Sequence, residues 1–196
     1  MTFRVLLRFI LILIFSSVAF AAEVIDIDFN TLQGGFMQRS IVDGDVVDVK
    51  KGVFFIKKPN MFRWDLDKDK TIFAYKNSFV TIDHSLEKIE FFKGNVAIMK
   101  FVLSLNFNRL DSRFNIKLYK SSHNDRVYRI WPKSKEDSFD YAEVVVDRLI
   151  KKIRIYRSKD DLLEITFLDQ SVNKDININK FEVIMPVSYE VVEREI

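Results

Sequence analysis

Lys57-Lys58-Pro59-Asn60-Met61-Phe62-Arg63-Trp64-Asp65, KKPNMFRWD, sets two lysines and a proline before a run in which apolar and polar side chains alternate. Phe62, Trp64 and Leu66 share one face of an extended segment, with Met61, Arg63 and Asp65 on the other. A period of two marks a strand with one wet face and one buried face. The same period returns at Phe114-Ile116-Leu118, at Leu163-Ile165-Phe167 and at Phe181-Val183-Met185. Ser121 to Asp125 and Ser158 to Asp161 are turn-like stretches between such runs. The pattern predicts half-buried antiparallel strands in a meander. With 5 Gly and 3 Pro in the whole chain, no linker separates domains and no glycine-rich loop is available to cradle a phosphate.

One segment departs from this. From Asn95 to Leu105 the residues Ile98, Phe101, Val102 and Leu105 stand at i, i+3, i+4 and i+7, with Asn95 placed as an N-cap. Val96, Met99 and Leu103 occupy the remaining sides, so the predicted helix is apolar nearly all round. Such a helix is either packed into a core or laid as a lid over something apolar.

Residues 1–21 read as an export signal. Arg4 and Arg8 give a positive end, Phe9 to Phe20 an apolar run, and Ala19-Phe20-Ala21 a small-x-small cleavage site. The run is short for a bilayer span. The chain has no cysteine, which removes acylation of a mature N-terminal Cys, disulfides and thiolate metal sites from consideration. Residues 22–196 are expected to form one unanchored domain in a bacterial periplasm. The two leader arginines account for most of the excess charge: 31 Lys and Arg against 28 Asp and Glu become 29 against 28 without them. Lys50-Lys51, Lys57-Lys58 and Lys151-Lys152 are separated pairs that read as solvated strand edges, and nucleic acid is not an expected partner.

No catalytic constellation stands out. His84 and His123 are the two histidines, both beside turn residues. Asp65-Leu66-Asp67-Lys68-Asp69-Lys70 opens like a calcium loop, but Lys70 replaces the glycine of the sharp turn and Lys76 the bidentate glutamate. The chain therefore reads as a binding protein without cofactor or metal, not an enzyme. Its 14% aromatic content, with 19 Phe, supplies unusually large apolar surface.

In this setting the opening stretch resembles a known family. Phe36-Met37-Gln38, then Gly52-Val53-Phe54-Phe55-Ile56 taken as a strand opened by its glycine, then Lys58-Pro59-Asn60-Met61-Phe62-Arg63-Trp64, is similar to the periplasmic outer-membrane lipoprotein carrier family, LolA. The predicted hairpin Ser78 to Ile89 sits where that family has strand, turn and strand, and Ile165-Thr166-Phe167-Leu168-Asp169, Asn173 and Phe181 to Pro186 resemble its closing pattern. The resemblance implies a half-open antiparallel β-barrel with helices covering an apolar cavity. It implies acyl-chain contacts from Phe36, Phe54, Phe62, Trp64, Met99 and Phe101. It implies acylated lipoproteins as cargo, an inner-membrane ABC-type lipoprotein-releasing complex as donor and a LolB-like outer-membrane receptor lipoprotein as acceptor, with the carrier a monomer. Lys58 stands where the family has an arginine that latches the lid through helix carbonyls, and a lysine offers a point charge without the planar fork. The family's first lid helix has little room before Phe36, where Ile25-Asp26-Ile27-Asp28-Phe29 alternates like a strand. A periplasmic lipid or lipoprotein sensor of related fold, an exported hydrolase using paired carboxylates and a purely structural periplasmic protein are the alternatives.

Overall fold

The computed structural model describes residues 25, 27–75, 78–93, 102, 105, 114–134 and 139–195. The alternating runs become strands: β1 (Thr31–Val42), β2 (Asp45–Lys57), β3 (Met61–Leu66), β4 (Lys70–Tyr75), β5 (Ser78–Asp83), β6 (Lys88–Lys93), β7 (Phe114–Ser121), β8 (Arg126–Pro132), β9 (Tyr141–Val146), β10 (Ile150–Tyr156), β11 (Asp161–Val172) and β12 (Glu190–Glu195). All twelve lie in one sheet, in the order β12-β6-β5-β4-β3-β2-β1-β11-β10-β9-β8-β7. Two meanders, β1 to β6 and β7 to β11, are thus sewn together where β1 pairs with β11. The expected turns fall between β7 and β8 and between β10 and β11, and the predicted hairpin is β5 and β6.

The architecture expected from the family resemblance is corrected on three points. The sheet is open, with β12 and β7 at its two ends, so no barrel closes. It is not wholly antiparallel, because β12 runs parallel to β6. Among the described residues no helix covers a cavity; the short 3-10 turn Ile178–Phe181 buries no residue and lies on the outer side of β3, where Arg63 donates to the Lys180 carbonyl. The physical reason is visible in the pattern: apolar residues of the described chain recur at every second position, a spacing that suits extended backbone, and extended segments do the covering. Of the predicted helix 95–105 the described residues include Val102, helical in backbone, and Leu105, both buried; Met99 and Phe101 lie outside them.

One face of the sheet carries the main core. Phe79 of β5 and Ile130 of β8 belong to the same apolar cluster although many strands separate them, so the sheet curls around its inner face. The half made by β4, β5 and β6 is buried on both faces. Phe73, Val80, Ile82 and Ile89 form a second cluster on the outer side, capped by Val183, Met185 and Tyr189 from the chain after the 3-10 turn. The alternation at Phe181-Val183-Met185 therefore reports burial but not a strand. Val183 and Met185 insert into an apolar patch while the backbone of 182–186 pairs with no strand, a correction to the sequence expectation.

Candidate functional site

The inner face of β1, β2, β3 and β11 is aromatic. Phe36, Phe54, Trp64 and Phe167 come from those four strands and are 1%, 0%, 2% and 6% exposed. Trp64 is their hub, with ring centroids 4.7 Å from Phe36, 5.3 Å from Phe54 and 5.7 Å from Phe167. Phe54 and Phe167 meet edge to face at 5.3 Å. Tilted and edge-to-face contacts of this kind are the arrangement the ring quadrupoles favour. Gly52 makes room for it. It lies inside β2, opposite Phe36, and does not open the strand as expected. A Cβ there would sit 2.7 Å from the Phe36 ring and against the Asp65 carbonyl. Phe62 is also on this face, opposite Ile56 in the ladder and 5% exposed. The structure brings Phe36, Phe54 and Trp64 into one close-packed group, with Phe62 in the same cluster.

Over this face runs the chain before β1. Ile25, Ile27 and Phe29 are 1%, 5% and 1% exposed and belong to the main cluster. Their burial alternates as the sequence expects, yet no strand forms at 25 or 27–29. The segment is tied at its end rather than along its length. Asn173, in a left-handed conformation at φ 53° that asparagine tolerates, accepts from the backbone N–H of Asn30 at 2.7 Å, and the Thr31 hydroxyl donates to the Lys174 carbonyl at 2.6 Å. Lys58 supplies the other tie. Its backbone N–H donates to the Asn30 carbonyl at 2.9 Å, its ammonium donates to the Ile27 carbonyl at 3.2 Å, and the same ammonium lies 4.2 Å from the centroid of the Phe29 ring. Lys58 thus grips a backbone carbonyl of an extended segment.

The outer face carries an ordered row of charge that the sequence reading missed. Arg129 faces Glu143, Glu143 faces Arg154, Arg154 faces Glu164 and Glu164 faces Arg39, each pair directly opposite in the ladder. Arg129 reaches Glu143 at 2.6 Å, and Arg154 and Lys152 reach Glu164 at 2.9 and 3.0 Å. Burial pushes the Glu164 carboxyl up, but Arg154 and Lys152 outweigh it and hold the group below its usual range. Arg129 is also stacked between rings, 3.6 Å from the centroid of Tyr119 and 4.7 Å from that of Tyr141, which in turn stacks on Tyr156 at 4.2 Å. Lys152 is therefore an ion-pair partner and not only a solvated edge residue. A calcium-like role for the β3–β4 turn has no support, since Asp65 is taken by Arg63 and Thr71 at 2.9 Å. Among the described residues no group of three His, Cys, Asp or Glu side chains could hold a metal.

The family model described as outer membrane lipoprotein carrier protein LolA fits residues 28–184, a span that includes KKPNMFRWD and the aromatic inner face. The chain belongs to the LolA family. An outer-membrane lipoprotein carrier protein from Francisella philomiragia is 24% identical over 174 residues, covering 84% of this chain and 82% of that one. An uncharacterized conserved protein from Thermus thermophilus shares the fold with a TM-score of 0.51 at 8% identity, over 84% of this chain and 91% of that one. A LolA superfamily protein from Nitrosomonas europaea gives 0.45 at 9% identity, over 81% and 93% of the two chains.

Proposed function

We propose that this LolA-family protein is a periplasmic carrier that covers lipoprotein acyl chains with the inner face of its curled sheet. In this reading residues 1–21 are removed on export. Cargo comes from an inner-membrane ABC-type releasing complex and leaves to a LolB-like outer-membrane receptor lipoprotein. The observation that carries the reading is the segment before β1: three apolar side chains, Ile25, Ile27 and Phe29, fill the inner face from a backbone that forms no strand with the sheet. A covering segment without a ladder comes away without unzipping the sheet. Lifting it uncovers apolar surface beside Phe36, Phe54, Phe62 and Trp64, where a fatty acyl chain gains about 0.8 kcal/mol for each methylene removed from water. Acyl tails need no polar partner, and the rings and aliphatic side chains of this face present none that would be left unpaired.

Lys58 is the latch in this scheme. Among the described residues its ammonium reaches one carbonyl, Ile27, so this tie rests on a point charge where a guanidinium would offer several fixed donors. A modest latch suits a carrier, which must give its cargo up. The test is retention of one lipoprotein, prepared with and without its acyl chains, by immobilised mature protein. Selective retention of the acylated form is expected. Equal retention of the two forms refutes the reading.

A further inference from the structure

The outer edge of β2 has two halves. From Gly52 to Lys57 it pairs with β3. Lys51 closes that ladder, accepting from the Asp67 N–H at 2.7 Å and donating its own N–H to the Asp67 carboxylate at 3.2 Å. From Asp45 to Lys50, β2 pairs among the described strands with β1 alone. This open half carries Val46, Val47 and Val49, which are 52%, 62% and 48% exposed, and Val42 across the hairpin is 39% exposed. Valine favours strands because it packs on a pleated, half-covered surface. Here that surface is exposed and, among the described strands, its outer backbone edge is unpaired, which is the condition for adding another strand.

The charges on this edge select the partner. Ile41 faces Val46 and Ser40 faces Asp48, so Val47 is an extra, bulged residue. With Val47 set aside, the pleat places Asp45, Asp48 and Lys50 on one side and Val46 and Val49 on the other. An antiparallel strand of the same sequence centred on Asp48 sets Asp45 opposite Lys50 of the copy and Val46 opposite its Val49, twice by symmetry. The facing Asp48 carboxylates are each countered by their own Lys50, 3.7 Å away. A parallel copy instead brings like charges side by side. The open stretch also has the right length for itself. The partner's turn at Gly44 arrives beside Lys51, whose backbone groups are already occupied by Asp67. A bulge and alternating charges turn most strands away from an edge, and a second copy meets both.

We propose that two copies of this protein pair through the Asp45–Lys50 edges of β2, antiparallel about Asp48, as a two-fold dimer. This replaces the monomer expected from the family resemblance and is independent of the carrier reading, because the inner face takes no part. A contact this small gives a weak dimer, with a dissociation constant on the order of 100 µM. The experiment is sedimentation equilibrium of the mature protein from about 5 µM to about 1 mM, a range chosen to bracket that value. Alongside it, single cysteines are introduced into this cysteine-free chain. Asp48→Cys is expected to give a disulfide-linked dimer under mild oxidation, whereas Ser122→Cys in the exposed β7–β8 turn is not. Lys50→Asp is expected to weaken association at least about tenfold, and Asp45→Lys with Lys50→Asp to restore it, because the swapped pair is again complementary. Monomer at every concentration, with Asp48→Cys cross-linking no more than Ser122→Cys, overturns the proposal. So does a dimer indifferent to Lys50→Asp. Thermal melts of each variant separate loss of pairing from loss of fold.

Discussion

Truncating Phe54 to alanine separates a packed face from a pre-formed cavity. Phe54 is 0% exposed, its ring lies 5.3 Å from both Trp64 and Phe167, and β1 and β3 flank its strand. Phe→Ala in a well-packed core costs about 3–5 kcal/mol, the spread reflecting how far the surroundings collapse. Collapse is hindered here because Phe54 is held between two rings that themselves pack against each other, 5.7 Å apart. The expected loss is therefore near the upper end, about 4–5 kcal/mol, a large share of a typical domain's 5–15 kcal/mol. With a urea slope of about 2 kcal/mol per molar, the midpoint falls by about 2 M. Met61→Ala, on the opposite side of the neighbouring strand and 38% exposed, serves as the control and should cost no more than about 0.5–1 kcal/mol. The assay is urea unfolding of the mature protein followed by tryptophan fluorescence, with the slope checked for constancy. A loss below about 2 kcal/mol at unchanged slope refutes the reasoning, because only a side chain bordering empty space can be removed so cheaply.

Lys58→Leu removes the tie to the Ile27 carbonyl, so the Asn30 amide at the end of the tied segment, bonded to Asn173, should exchange several-fold faster, in line with about 1 kcal/mol for one hydrogen bond. Cargo should still load while handover to the receptor slows, and Lys58→Arg should behave as wild type; unchanged exchange and handover in Lys58→Leu return Lys58 to an ordinary surface role. Glu143→Ala leaves Arg129 and Arg154 facing each other without their shared carboxylate, and should cost about 1–3 kcal/mol in the same urea assay, whereas an effect within error means that solvent screens the row. Burial pushes the Asp83 carboxyl up, but the Ser85 hydroxyl, Lys70 and the Leu86 N–H outweigh it and hold the group down at about 2. Its folded-state value is depressed, so its contribution is full above the ordinary carboxylate range and fades as pH falls from about 3.8 toward about 2. Asp83→Asn should therefore be less stable than wild type at neutral pH and converge with it near pH 2, and a gap that stays constant with pH shows the carboxylate charge to be irrelevant.

What the sequence determined by itself is the list of faces. The period of two placed Phe62, Trp64 and Leu66 together, marked β7 and β11, and gave Ile25, Ile27 and Phe29 a common side, while the family resemblance marked the β5–β6 hairpin. The stretch around Lys58-Pro59 carried the family, which the match over residues 28–184 bears out. Periodicity reports which side of a backbone is apolar, and that is a local property. It does not report which backbone lies next to which. Phe167 joins Trp64, Arg129 finds Glu143, and Asn173 holds Asn30 across 143 positions only after β1 and β11 have paired. The same limit explains the two local misreadings: at 27–29 and at 181–185 the alternation was real, but whether an alternating segment pairs as a strand or packs across a face depends on whether a free edge lies beside it. Closure of the sheet was likewise a tertiary decision. The strands at its ends, β7 and β12, are fixed by the β1–β11 junction and by the parallel return of the chain along β6, and no local spacing of residues encodes the distance between those two edges.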